Sequence, residues 1–327
     1  LTLGAKFTGI SIIRSLVVRT PMTIFFAAAP TQATETLIRP QVSLADLTSY
    51  RVGGRAQWYA SPRNWNELQA TFEWFDRQDL PLTLLGAGSN LLVSDRGIPG
   101  LVLGTRYLRR VHFEPETARI TASAGEPIAR IAWQAAKRGW RGLEWAVGIP
   151  GTVGGAVVMN AGAHNQCAAE YLVSALVLSA NGTLETLTPR DLNYSYRTSA
   201  LQGDRRLVIE ATFQLQPGFT REEVMEMTDR NLKQRKNSQP YDRPSCGSVF
   251  RNPKPQAAGW LIEQLGLKGY RIGDAEVSVR HANFILNCGK AKADDIFRLI
   301  RHVQERVEER WSVLLEPEVK ILGEFSV

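Results

Sequence analysis

The chain has 327 residues, 44% hydrophobic and 22% charged, the balance of a globular protein long enough for two or three cores. A net charge of +7 points to an anionic partner, but the basic residues are spread along the sequence rather than gathered in runs with aromatic neighbours, so a phosphorylated small molecule explains the excess as well as a nucleic acid does. Cys167, Cys246 and Cys288 form no C-x-x-C pair and read as reduced thiols, the four histidines stand in no ligand spacing, and no stretch reaches transmembrane length.

The first 38 residues carry Lys6, Arg14 and Arg19 ahead of an apolar run over 22–29 and a Thr31-Gln32-Ala33 segment, a pattern that a signal peptide also shows. The reading adopted is a disordered leader over 1–38, with Met22 as a candidate natural start. From Leu47 onward a tight turn leads into a strand at 56–60, and Pro62 to Asn64 open a helix with Leu68, Phe72 and Phe75 on one face. Leu82-Thr83-Leu84-Leu85 is a strand running straight into a glycine loop, and 91–93 and 101–103 are further short apolar runs. Together they make a small α/β unit.

A second unit starts with a strand at 119–125 and an amphipathic helix at 128–138 that stops at Gly139. Strands at 172–179 and 183–187 flank Asn181-Gly182, a pair suited to the positive φ angles of a two-residue hairpin turn. A strand at 207–215 follows, and Gln216-Pro217-Gly218 marks a boundary. Beyond it the pattern predicts helices at 221–236 and 256–265. It also predicts a longer helix capped by Asp294 or Asp295 with Ile296, Leu299, Ile300, Val303 and Val307 on one face, and strands at 283–287 and 319–322. The expected class is α+β: a small α/β unit, an α+β unit with antiparallel strands, and a C-terminal α+β domain.

Two glycine-rich segments stand out, Gly86-Ala87-Gly88-Ser89-Asn90 and Gly148-Ile149-Pro150-Gly151-Thr152-Val153-Gly154-Gly155-Ala156. Without side chains in the way, successive N–H groups can face phosphate oxygens, so the segments read as two walls of one phosphate site. Leu91 breaks the G-x-G-x-x-G spacing and no Lys-Ser or Lys-Thr pair follows, which disfavours a Rossmann dehydrogenase and a P-loop ATPase.

Three polar positions could carry chemistry. Arg197, in Tyr194-Ser195-Tyr196-Arg197-Thr198-Ser199, could fork onto a carboxylate or phosphate, or serve as a loop arginine paired with a surface acid. Ser248, in Cys246-Gly247-Ser248-Val249-Phe250-Arg251-Asn252-Pro253, lacks a G-x-S-x-G elbow and a histidine base and reads on pattern as a turn serine. In Glu316-Pro317-Glu318-Val319-Lys320, alternation puts Glu318 with Lys320 on one face, and period alone does not choose between Glu316 and Glu318. The stretch 259–283, with Gly266, Lys268, Gly269, Tyr270, Gly273 and His281, reads as a ligand-facing loop or a chain of tight turns.

In this order, seven segments resemble the UDP-N-acetylenolpyruvoylglucosamine reductase family of flavoenzymes, from about residue 47 to the C-terminus. They are Tyr50-Arg51-Val52-Gly53-Gly54, the 86–90 loop, Gly142-Leu143-Glu144 through Gly162, Tyr196-Arg197, Gly247 to Pro253, Gly259-Trp260-Leu261-Ile262-Glu263 through Gly273, and Glu316 to Val319. The resemblance implies an FAD-binding domain over 39–216, with subdomains at about 39–108 and 109–216, and a UDP-sugar domain over 219–327. It implies FAD contacts from Arg51, Gly53, Gly86, Ala87, Gly88, Ser89, Asn90, Leu91, Gly148, Ile149, Pro150, Gly151, Thr152, Gly154, Gly155, Asn160 and Gly162. Substrate contacts are implied for Tyr196, Asn252, Lys268 and His281.

By the same resemblance NADPH is the reductant, the flavin carries the hydride, and the enolpyruvyl ether of UDP-N-acetylglucosamine accepts it. Arg197 would stabilise the enolate-like state, Glu318 would support polarisation or a proton network, and Ser248 would donate the proton. The 51 positions between Arg197 and Ser248 resemble the branch of the family that lacks an extra tyrosine-bearing substrate loop. A cytoplasmic monomer with no metal, no nucleic-acid partner and no membrane attachment is expected. The rival readings are an FAD-dependent sugar or aldonolactone oxidase, which would not need the 247–253 and 316–319 motifs together, and a flavin or nucleotide-sugar binder without turnover.

Overall fold

The computed structural model describes residues 22–23, 37–179 and 182–325. Most of the leader lies outside the described residues. Within it β1 (Met22–Thr23) is a short strand that pairs antiparallel with Thr183 and Leu184.

The first unit is a four-stranded sheet of β2 (Ile38–Ser43), β3 (Arg55–Ala60), β4 (Leu82–Leu85) and β6 (Ile98–Gly104), in the order β2-β3-β6-β4. β2 pairs antiparallel with β3, while β3 and β4 both run parallel to β6. Between β3 and β4 the chain forms α1 (Trp65–Phe75), which starts where the Asn64 side chain accepts the Glu67 N–H and buries Leu68 and Phe72 against Leu101 and Leu103. β5 (Leu91–Val93) follows the first glycine loop and leaves this sheet.

The second unit is an antiparallel six-stranded sheet in the order β1-β12-β11-β13-β8-β7. Its strands are β7 (Val111–Glu114), β8 (Arg119–Ser123), β11 (Leu172–Leu178), β12 (Thr183–Leu187) and β13 (Leu207–Gln214) together with β1. α2 (Ile128–Ala136) and α3 (Val153–Met159) cover one face, burying Ile128, Ile131, Val153 and Val157 against Ile120, Ala122, Ala175 and Phe213. Between α3 and β11 lie the hairpin of β9 (Gly162–Ala163) and β10 (Gln166–Cys167) and the single turn α4 (Ala168–Tyr171). The predicted hairpin joins β11 to β12. Of its turn, Asn181 lies outside the described residues, and Gly182 takes φ +79°.

The C-terminal unit contains α5 (Arg221–Ser238), α6 (Ala258–Gln264) and α7 (Ala293–Trp311). Its antiparallel sheet is β14 (Arg271–Ile272), β15 (Ala275–Val277) and β16 (Ile285–Asn287). The helix predicted at 256–265 is α6, and the rest of the stretch 259–283, read as loop or turns, holds a hairpin. Short strands with glycines between them show too little periodicity to announce themselves. Neither Asp294 nor Asp295 is the N-cap of α7. Asp295 accepts the N–H of Lys292 at 3.0 Å, while Asp95, from the first unit, accepts the N–H groups of Ala293 and Asp294 at 3.1 Å each.

The last strand, β17 (Lys320–Leu322), returns to pair in parallel with β5. Tyr50, Val52 and Leu92 of the first unit are buried in the core formed by α6, α7 and β15.

Candidate active site

β4 and the turn before α3 bring the two glycine segments face to face. Ser89 Oγ donates to the Pro150 carbonyl at 2.7 Å. A Cβ on Gly86 would stand 3.0 Å from Thr152 Oγ1, and one on Gly151 would stand 3.4 Å from Ser89 Oγ. The N–H groups of Gly86, Ala87, Ser89, Gly151 and Thr152 donate to no acceptor among the described residues. Two loops of unspent donors a side chain's width apart are what a pyrophosphate requires, so the residues present fit the middle of a dinucleotide such as FAD.

The other glycines of the set are small for packing reasons. A Cβ on Gly88 would lie 2.0 Å from the Leu47 carbonyl oxygen, one on Gly53 2.8 Å from Val93 Cβ, and one on Gly154 2.9 Å from Ala124 Cβ. Gly148 faces α5, where a Cβ would meet Leu232 Cδ1 at 2.9 Å, and its carbonyl accepts Tyr241 Oη at 3.1 Å. The segment read as one long glycine loop becomes helical at Val153, where Thr152 Oγ1 accepts the Gly155 N–H. Arg51 is exposed and takes φ +57°. Leu91 and Asn90 lead into the β5–β17 pairing. Asn160 is buried, its Nδ2 donating to the Ser195 carbonyl at 2.9 Å and its Oδ1 accepting the Ala169 N–H at 3.0 Å.

Asn160 thereby anchors the turn that carries Arg197. In that turn Ser195 and Thr198 bond each other's backbone and Arg197 itself sits at φ +55°. Its side chain forks, Nε to Glu318 Oε1 at 3.0 Å and Nη2 to the Gly162 carbonyl at 2.7 Å. Gly162 thus meets Arg197, and its lack of a side chain answers the Gln166 carbonyl 2.3 Å from where a Cβ would be.

Glu318 is tied to the rest of the site through its backbone. Its N–H donates to the Val249 carbonyl at 2.7 Å, next to Ser248, and its carbonyl accepts Asn90 Nδ2 at 3.1 Å, at the end of the first glycine loop. Arg197, Glu318, the Ser248 loop and the 86–90 loop are therefore contiguous, although they lie in four distant parts of the chain. Ser248 follows Gly247 at φ +77°, is half-buried, and its hydroxyl makes no hydrogen bond among the described residues.

The two glutamates left open by pattern differ in setting. Glu318 is 15% exposed, whereas Glu316 is 65% exposed and paired to Arg251 Nη1 at 3.0 Å. Burial raises the Glu318 carboxyl above the ordinary carboxylate range, against the pull of Arg197, Arg251 and Lys320. Burial, with Arg251 nearby, lowers Lys320.

Of the four expected substrate residues, only Tyr196 adjoins this group, its exposed ring 5.0 Å from the Arg197 guanidinium carbon. Asn252 Oδ1 accepts the Ala258 N–H at the start of α6. Lys268 pairs with Glu263 at 2.6 Å, and His281, lowered by burial, packs on Phe284 and accepts the Asn283 N–H on Nδ1. None of these three touches the Arg197–Glu318 pair. Arg251 and Gln202, not singled out in the sequence, both donate to the Arg197 carbonyl, at 3.2 and 2.8 Å. Nothing in their local pattern marks them: the Arg251 contact exists only after the units pack, and the Gln202 contact only once the turn folds back over five residues.

The FAD binding domain family matches residues 56–188, and the UDP-N-acetylenolpyruvoylglucosamine reductase C-terminal domain family matches residues 239–322. With the facing glycine loops, this makes the chain a flavin-dependent oxidoreductase. It is 66% identical to a UDP-N-acetylenolpyruvoylglucosamine reductase of Synechocystis sp. over 90% of this chain and 93% of the relative, and 63% identical to one of Nostoc sp. over 88% and 87%. The crystal structure of the Thermus caldophilus UDP-N-acetylenolpyruvylglucosamine reductase superposes with a TM-score of 0.74 at 34% identity, covering 88% of this chain and all of that one. The chain belongs to the UDP-N-acetylenolpyruvoylglucosamine reductase family. Among the described residues no helix is long and apolar enough to cross a membrane.

Proposed function

We propose that the protein reduces the enolpyruvyl ether of UDP-N-acetylglucosamine to UDP-N-acetylmuramate with NADPH, in the cytoplasm and as a monomer. The observation that carries the reading is the single contiguous group of Arg197, Glu318 and the Ser248 loop, bonded through Asn90 to the first glycine loop. FAD, held by the 86–90 and 148–155 segments, supplies a two-electron carrier between NADPH and the alkene. The units over 39–216 and 219–327 supply the cofactor and substrate sides.

Addition of hydride to the terminal alkene carbon leaves negative charge on the adjacent carbon and the substrate carboxylate. Arg197 is placed to bind that carboxylate and to stabilise the charge as it develops. Ser248, its hydroxyl unengaged, donates the proton to the adjacent carbon. Glu318 keeps Arg197 in place and takes part in restoring the serine proton. Tyr196, exposed beside Arg197, contacts substrate. Asn252, Lys268 and His281 contribute from the C-terminal unit, Lys268 after exchange of its Glu263 partner. The interval between Arg197 and Ser248 leaves no added tyrosine-bearing loop to close the site.

The test is anaerobic. Mixing the yellow protein with NADPH should bleach the flavin band, and adding the enolpyruvyl nucleotide sugar should restore it promptly. Recovery with oxygen alone would favour a sugar oxidase, and a protein that does not take up FAD would undo the reading at the glycine loops.

A further inference from the structure

We infer that Arg251 is a positioning residue that sets Arg197 and Ser248 in register, with Glu316 as its counter-ion. The inference rests on the roles proposed above for Arg197 and Ser248. Arg251 lies three residues after Ser248 in the same short segment, so any tether on its guanidinium also constrains the serine. One end of that guanidinium is fixed: Nη1 pairs with Glu316 at 3.0 Å, and the Arg251 N–H donates to the Glu316 carbonyl at 2.9 Å. The other end crosses to the FAD-binding side, where Nη2 donates to the Arg197 carbonyl at 3.2 Å and meets Thr198 Oγ1 at 3.4 Å.

The point of attachment is informative. Arg197 is held in the left-handed backbone region at φ +55°, which is unfavourable for a non-glycine residue and persists only when surrounding contacts impose it. Its carbonyl accepts two side-chain donors, Gln202 Nε2 from its own unit and Arg251 Nη2 from the C-terminal unit. Gln202 also donates to the Val158 carbonyl at 3.2 Å, which anchors the turn to α3. Arg251 is therefore a second tie between this turn and the serine loop, fixing the turn's backbone where the Arg197–Glu318 pair, bonded through Glu318 N–H to Val249, fixes its side chain. Without it the backbone of the Arg197 turn has no donor from the serine segment and only the Arg197–Glu318 pair relates the two, and a misplacement of about 1 Å between them costs on the order of 10²-fold in rate.

Charge gives a second signature. Arg197, Arg251 and Lys320 face Glu318, and Glu316 faces Arg251 and Lys320. Removing the Arg251 charge takes away one of the three cations that oppose the burial of Glu318, so the acid limb of the reaction should move to higher pH.

The experiment compares wild type, Arg251→Met, Arg251→Lys and Glu316→Gln in the two half-reactions, each checked for FAD content and melting temperature. Arg251→Met should slow reoxidation by the enolpyruvyl substrate by roughly 10–100-fold, shift its acid limb upward and leave flavin reduction by NADPH within about twofold. Arg251→Lys, which keeps charge and one donor, should restore the acid limb and part of the rate. Glu316→Gln, at an exposed position, should fold normally and show a smaller loss in the same half-reaction.

Equal losses in both half-reactions, or an Arg251→Met enzyme with wild-type reoxidation and pH profile, overturn the inference alone. If Arg251→Met does not fold, failure of both Arg251→Lys and Glu316→Gln to alter reoxidation does the same. A wild-type enzyme that the substrate cannot reoxidise overturns the proposed function and this inference with it.

Discussion

Arg197 does not sit in the site as a free guanidinium: Nε and Nη2 are spent on Glu318 and Gly162, leaving Nη1 and the exposed flank toward Tyr196 for a ligand. Arg197→Met should therefore lower the rate of reoxidation by substrate by roughly 10²–10³-fold, as expected for loss of a charged donor to a developing anion. It should also move the acid limb. Burial already raises Glu318, and Arg197 is the largest opposing influence, so its removal raises the carboxyl further and the fall in rate begins at a higher pH. A pH profile of Arg197→Met unchanged from wild type would show that Glu318 is not the titrating group. Ser248→Ala should spare flavin reduction by NADPH and slow reoxidation by roughly 10²–10⁴-fold in stopped-flow traces. Equal loss in both steps would remove the serine from proton transfer.

At the scale of elements, the two glycine loops owe their approach to unlike neighbours. The first follows the parallel strand β4, and the second precedes α3, whose first turn is held by Thr152 Oγ1. Gly86→Val would push two methyl groups toward that hydroxyl, 3.0 Å from the Cβ position. Overpacking of this kind costs about 1–3 kcal/mol, or roughly 5–150-fold in affinity when it falls on a ligand site. The variant should therefore keep a near-native melting temperature without FAD while losing flavin on gel filtration. Retention of stoichiometric FAD would mean that the gap between the loops is not where the pyrophosphate binds. Gly88, by contrast, combines φ +68° with the Leu47 carbonyl at 2.0 Å from a Cβ, so substitution there acts on the fold itself.

Across the whole molecule, the C-terminal unit is bound to the first by more than a linker. β17 lies beside β5, Asp95 caps α7, Asn287 Nδ2 donates to the Tyr50 carbonyl at 2.9 Å, and Leu92 is fully buried in the C-terminal core. Leu92→Ala should lower stability by about 2–5 kcal/mol. In urea it should unfold the C-terminal unit at a lower midpoint than the six-stranded sheet, read by hydrogen exchange of the α7 amides against those of β11 and β13. A loss under about 0.5 kcal/mol, with the two probes coincident as in wild type, would show that the shared core does not couple the units.

Local order determined a great deal of this protein. Strand β4 running into glycines, the apolar periodicity of α1, α2 and α7, the hairpin of β11 and β12, and the seven motifs of the family were all legible, because each depends on neighbours within a turn or a strand. The family and the candidate residues followed from them. Tertiary structure decided what depends on distant partners: that Glu318 is buried against Arg197 while Glu316 pairs with Arg251 in the open, that Asp95 caps α7, and that Asn252 Oδ1 is taken up by α6. It also decided that the glycine-rich stretch after the predicted helix at 256–265 is a hairpin. Residues 316 and 318 have the same side chain and nearly the same neighbours in sequence. Each faces an arginine that is 20% exposed, but the arrival of the Arg197 turn from 121 positions away accompanies burial of Glu318 alone and leaves Glu316 65% exposed.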